Sequence, residues 1–301
     1  MGILQDLFLV GINKEENIPP VSGDTHSTYH FSFTRNQWVR GLKIEHEVEG
    51  IVEVGICPYN KTFFKWSIAF KNIECRKKEN FLPEYYLFWD YIQRADFLIH
   101  INGKIAEYNF KTYGIDTAYK QKIKKCSDYL ENGRRNTVQS DLKKIKKDPS
   151  LQMKLLRENP VIQFLSKEFK FHIQFKSQKD KQVLNSSYSN EILESYFGEN
   201  FHLPIKKYNL LDKSKENLIL GSCIGGLDKE KMNETDFYRY MKKLAGKVTI
   251  GRELLVDYSE YYQYDPKAFI KSYDFLKAES YLQTIIAEAW FLEEQIVLNK
   301  I

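Results

Sequence analysis

Asp96, Glu107, Asn109 and Lys111 are the residues whose types and spacing could do chemistry together. They lie in the stretch 94–114, RADFLIHINGKIAEYNFKTYG. Two alternating β-prone runs meet there at Asn102-Gly103, a dipeptide suited to a two-residue hairpin turn because both of its residues tolerate positive φ. That turn sets Leu98 opposite Glu107 and Asp96 opposite Asn109. Side chains of period two then place Asp96, Leu98, Glu107, Asn109 and Lys111 on one face of the ribbon, with Phe97, Ile99, Ile105, Tyr108 and Phe110 mostly on the other. Two carboxylates held near each other repel, so a working site of this kind should recruit Mg²⁺ or Mn²⁺.

With the helix expected to follow it, the hairpin resembles the core of the PD-(D/E)XK nuclease superfamily over about residues 85 to 176. The resemblance implies that an acid on one strand and an acid-x-lysine on the next hold divalent cations against a scissile phosphate, the lysine orienting the attacking water. Asp96 matches the first acid and Lys111 the lysine. The second acid falls on Asn109, a neutral amide, and Glu107 on the same face is its expected substitute. The implied activity is a metal-dependent phosphodiesterase, endonuclease-like and related to restriction or defence, with Mg²⁺ held by Asp96, Glu107 and Asn109.

A basic run follows: Lys120, Lys122, Lys124, Lys125, Arg134, Arg135, Lys143, Lys144, Lys146 and Lys147 stand against Asp116, Asp128, Glu131, Asp141 and Asp148. Such an excess beside a phosphodiesterase site would track a nucleic-acid backbone. The ordinary alternative is a solvated helical face.

Farther along, Val248-Thr249-Ile250-Gly251-Arg252-Glu253-Leu254-Leu255-Val256-Asp257-Tyr258 resembles the closing segment of SET-domain lysine methyltransferases. The resemblance implies a methyl-transfer channel lined by Tyr258, with Ser222 and Cys223 near the donor S-adenosylmethionine. Leu220 and Gly221 stand where that family has the Asn and His that bind the donor. A non-catalytic module binding nucleic acid or protein is the third reading, favoured if the hairpin face is covered.

The elements that must position these residues come from the rest of the pattern. The chain has 301 residues, 43% hydrophobic and 15% aromatic, and its 45 Lys and Arg against 40 Asp and Glu leave a net charge of +5. This describes a folded chain that permits nucleic-acid binding without demanding it. Four dispersed cysteines form no CxxC pair, and neither a signal peptide nor a membrane-length apolar run is legible, so a cytoplasmic protein is expected, with a homo-oligomer or a protein partner left open. Alternation over Leu42–Phe70 and Glu168–Lys176 predicts strands. Asp116 predicts a helix cap, helices are expected over about 137–147 and 149–167 with Pro160 breaking or restarting the latter, and the spacing of Leu282, Ile285, Ile286, Ala289, Glu293 and Ile296 predicts a helical tail. The expected fold is therefore α+β, a central mixed or antiparallel sheet with flanking helices and a helix-rich C-terminal region. The expected division is 1–176, a linker over 177–190, and 191–301.

Overall fold

The computed structural model of the protein describes residues 25–39, 42–60, 62–76, 94–100, 105–111, 144, 147–151, 159–165, 187–193, 201–213, 218–245, 253–265, 275–286 and 290–301. Eleven strands dominate them: β1 Thr25–Val39, β2 Leu42–Pro58, β3 Phe63–Arg76, β4 Arg94–His100, β5 Ile105–Lys111, β6 Ser187–Leu193, β7 Leu203–Lys213, β8 Ile219–Leu227, β9 Leu254–Tyr264, β10 Lys277–Ile286 and β11 Trp290–Lys300. Among the described residues the longest helix, α1, spans Glu234–Ala245.

All eleven strands join one sheet in the order β5-β4-β3-β2-β1-β11-β10-β9-β8-β7-β6. Every described pairing is antiparallel, and each strand bonds its chain neighbours except that β5 and β6 form the two opposite edges, while β1 and β11 meet at the centre. Strands from both sides of residues 177–190 therefore share one sheet, and Ser187 to Asn190 are themselves part of β6. Leu193 on β6 and Ile296 on β11 line the same cavity although five steps of the strand order separate their strands, so the sheet curls strongly.

The alternation expected over 42–70 is realised. In β1, Tyr29, Phe31 and Phe33 point into the curve, beside Val48, Val52, Val54 and Ile56 of β2 and Trp66, Ile68 and Phe70 of β3. Gly50 lies between two of these rows for a steric reason. A Cβ there would sit 2.9 Å from the Phe31 ring, and that ring crosses β2 to meet Phe70 edge-on at 5.6 Å. The β2–β3 register shifts beside Gly50, and Asn72 takes φ 51° there, as a bulge requires.

Residues 160–165 form a helical turn packed against this core. Asn159 caps it, its Oδ1 accepting from the Ile162 amide at 3.0 Å, and Pro160 occupies the first position, where no amide is needed. Pro160 thus restarts a helix, one of the two outcomes expected. Val161, Ile162, Phe164 and Leu165 are buried, and Phe164 stacks on Tyr262 at 5.7 Å.

The expected α+β fold and helix-rich C-terminal region are corrected here. The predicted helical tail is the β10–β11 hairpin, paired from Lys277↔Asn299 to Ile286↔Trp290. Its inward row on β10 is Ala278, Ser280, Leu282, Thr284 and Ile286, and on β11 Glu294 interrupts Trp290, Leu292, Ile296 and Leu298. Polar residues facing in and Ile285, Phe291 and Val297 facing out blur the period of two. Ile, Val, Trp and Phe fit a pleated surface, and neighbouring strands decide the outcome. The strand expected at 168–176 and the helix capped by Asp116 lie outside the described residues.

Candidate functional site

Over its outer part the hairpin shows the expected register, with Arg94↔Lys111, Asp96↔Asn109 and Leu98↔Glu107 paired, but nearer the turn Ile99 faces Ile105 where a two-residue Asn102-Gly103 turn requires Ala106. A bulge then intervenes between Leu98 and Ile99. Asp96, Leu98, Glu107, Asn109 and Lys111 therefore share a face by register, and Arg94 joins them. The side chains of Asn109 and Lys111 lie outside the described residues.

Asp96 does not stand open on that face. It is 7% exposed, with Arg94 and Leu98 equally covered. Ser67, directly opposite on β3, donates its hydroxyl to Asp96 Oδ1 at 2.6 Å, and Arg94 Nη2 lies 3.7 Å from the same oxygen. A carboxylate engaged by a guanidinium is poorly placed to attract a cation, because the local positive charge is already supplied. Among the described residues no three His, Cys, Asp or Glu side chains gather as a metal site. Of the basic run, Lys144 and Lys147 are described and exposed, while Lys122, Lys124, Lys125, Arg134, Arg135, Lys143 and Lys146 lie outside the described residues.

The residues of the methyltransferase resemblance sit on two neighbouring antiparallel strands, β8 and β9. Cys223 is buried facing Glu260, Ser222 pairs with Tyr261, and Tyr258 is 1% exposed. Tyr258 belongs to a charged cluster that sequence reasoning missed. Lys207 Nζ on β7 lies 3.1 Å from Glu260 Oε1 and 3.2 Å from the Tyr258 hydroxyl, and stands over the Tyr258 ring at 4.5 Å. The Tyr258 hydroxyl donates to Glu260 Oε1, and Tyr262 donates to Oε2 at 3.0 Å. Burial, reinforced by the Glu260 carboxylate, holds the Tyr262 phenol far above its ordinary pKa, so it remains a donor.

Gly225 makes the cluster geometrically attainable. Across the sheet Lys207 pairs with Gly225 and Gly225 with Tyr258, so the lysine and the tyrosine meet over a residue with no side chain. A Cβ there would meet Ile205 at 3.0 Å, the Lys206 carbonyl at 3.1 Å and Tyr258 at 3.3 Å. Gly225→Ala is expected to cost about 1–2 kcal/mol through overpacking, read as a lower urea midpoint at unchanged slope. An unchanged midpoint would show that the neighbours give way freely.

Beside Tyr258 the curled sheet and the 160–165 turn enclose a cavity of about 40 Å³ lined by Gln163, Phe164, Ser280, Glu294 and Ile296 among others. Ser280 is 8% exposed and its hydroxyl finds no protein partner among the described residues. The space suits about three waters. It is far below the roughly 300 Å³ at which small-molecule pockets begin. Glu294 is bridged by Arg35 at 3.3 Å, and Arg35 is in turn paired across β1–β2 with buried His46. Burial, and secondarily the Arg35 charge, lower the His46 pKa to about 4.

The sequence matches no known protein-family profile and no curated protein. A solved structure described as "Lipid-protein interactions in lipovitellin" is similar at a TM-score of 0.46 and 8% identity, over 93% of this chain and 25% of that one. The chain thus spans about a quarter of that structure's length, and a likeness of this depth carries no argument about function.

Proposed function

We propose that this chain is a non-catalytic interaction module, a curled β-sheet scaffold that acts by binding a protein partner. The observation that carries this reading is the covered hairpin face, where the Asp96 carboxylate is taken up by Ser67 and Arg94. The cavity beside Tyr258 is too small for a substrate, and the Lys207–Glu260 cluster is buried and internally hydrogen-bonded. The outer face of the sheet, by contrast, exposes Tyr188, Ile192, Leu210, Ile224 and Leu255. Apolar side chains gathered on one sheet face suit a protein surface better than a phosphate backbone. Among the described residues no helix is long and apolar enough to cross a membrane. Cys57 and Cys223 carry thiols, not disulfides, which supports a cytoplasmic setting.

The test is a nuclease assay over DNA and RNA forms with Mg²⁺ and Mn²⁺, comparing the wild type with Asp96→Asn and Lys111→Ala. No cleavage that depends on Lys111 is expected. Asp96→Asn should lower stability by about 1.5–3 kcal/mol, the value of a hydrogen bond to a charged group. Lys111-dependent cleavage would overturn the reading and restore the phosphodiesterase.

A further inference from the structure

Both edges of the sheet present a seven-residue strand, and the two are built differently. On β5 the pairing with β4 is broken by a bulge, the strand carries Glu107 and Lys111, and the Tyr108 hydroxyl reaches the Pro149 carbonyl. Bulges and edge lysines are the usual means of discouraging another chain from adding to a sheet. β6 has neither. Its seven residues pair with β7 in unbroken register, it carries no lysine and no proline, its one charged residue is Glu191, and among the described residues no strand lies beyond it.

Its side chains are arranged for company. Tyr188, Asn190 and Ile192 alternate on the outer face, and the two apolar members are 76% and 56% exposed. They lie at equal distances on either side of Asn190, the central residue of the strand. Tyr188 also ends an apolar row running across the sheet, through Tyr208, whose ring centroid is 5.2 Å away, to Ile224, which is 63% exposed.

We propose that β6 is a self-association edge, pairing antiparallel with β6 of a second copy about a two-fold axis at Asn190. That axis sets Asn190 opposite Asn190, Glu191 opposite Ser189 and Tyr188 opposite Ile192 of the second copy. The row Ile224–Tyr208–Tyr188 then continues into Ile192 and its cross-strand neighbour Pro204 on the other side. The contact is isologous, so it closes on two copies and does not propagate into fibres. Backbone hydrogen bonds supply the affinity and the Tyr188–Ile192 pairs fix the register, as in strand addition to an open edge. A seven-residue pairing is small, so the dimer is weak and depends on concentration. The inference rests on reading the chain as a binding module and names its partner as a second copy.

Cysteine cross-linking provides the test. Paired residues of antiparallel strands have Cα atoms about 4.5–5.5 Å apart, within disulfide range. Asn190→Cys under mild oxidation should give a covalent dimer at least about tenfold faster than Ile224→Cys, an exposed thiol away from the axis. Sedimentation of the reduced wild type should show mass rising towards two chains with concentration, and Tyr188→Lys combined with Ile192→Lys should hold it at one chain with an unchanged circular dichroism spectrum. Equal cross-linking rates at the two positions, or a wild type that stays at one chain at the highest concentration, would overturn the proposal. A dimer of protein that nonetheless shows Lys111-dependent cleavage would overturn the non-catalytic reading alone.

Discussion

Glu260→Ala is expected to be among the most damaging single substitutions in this chain, lowering stability by about 3–5 kcal/mol. The carboxylate is the common acceptor for Lys207, Tyr258 and Tyr262, and both charged side chains are over nine-tenths buried. Removing it leaves the Lys207 ammonium buried in the sheet without its carboxylate, beside the Tyr258 hydroxyl and ring. Two charges removed together are another matter, because the desolvation penalty goes with them. Lys207→Met combined with Glu260→Leu should therefore recover most of the loss, although each single substitution is severe. Urea unfolding of the four proteins in a double-mutant cycle measures this. A Glu260→Ala loss below about 1 kcal/mol would mean that the cluster is solvated.

Acid should destabilise the fold through His46 before most carboxylates titrate. The imidazole is buried against the Arg35 guanidinium, whose other neighbour is Glu294, and its pKa is lowered to about 4. An unfolded histidine protonates near 6.5, so between about pH 6.5 and 4 the unfolded chain binds a proton that the folded chain refuses. The contribution of neutral His46 is complete above that window, declines as pH falls through it and levels off below pH 4. The full span is at most about 3.4 kcal/mol. His46→Gln cannot titrate, so its stability should fall less steeply than the wild type's over the same window. Parallel pH profiles for the two proteins would show that His46 protonates freely in the folded state.

The sequence by itself determined what is local. Counting from Asn102-Gly103 anticipated the pairing of Asp96 with Asn109 and of Leu98 with Glu107, but not the bulge beyond Leu98 that pairs Ile99 with Ile105. The alternation of β2 and β3 was equally legible, and Pro160 marked a break or restart of helix there, while the Asn159 cap is seen only in the structure. The row Tyr258, Glu260, Tyr262 and Tyr264 on one face of β9 also has a period of two, but neither a strand nor a charged cluster was expected there. Only the tertiary structure decided which cation meets the Glu260 carboxylate: Lys207 is 53 positions away in sequence and reaches across β8 over Gly225. Asp96 likewise reads as a free acid until Ser67, 29 positions earlier, is laid beside it. The tail reads as a helix because Ser280, Thr284 and Glu294 face inward among apolar residues, and those inward positions are tolerable only where the curled sheet supplies Arg35, Trp290 Nε1 and a polar cavity. Hydrophobic period measures a segment against an averaged solvent and core, whereas the partner that makes a buried polar group affordable is chosen by strand order, which no local pattern encodes.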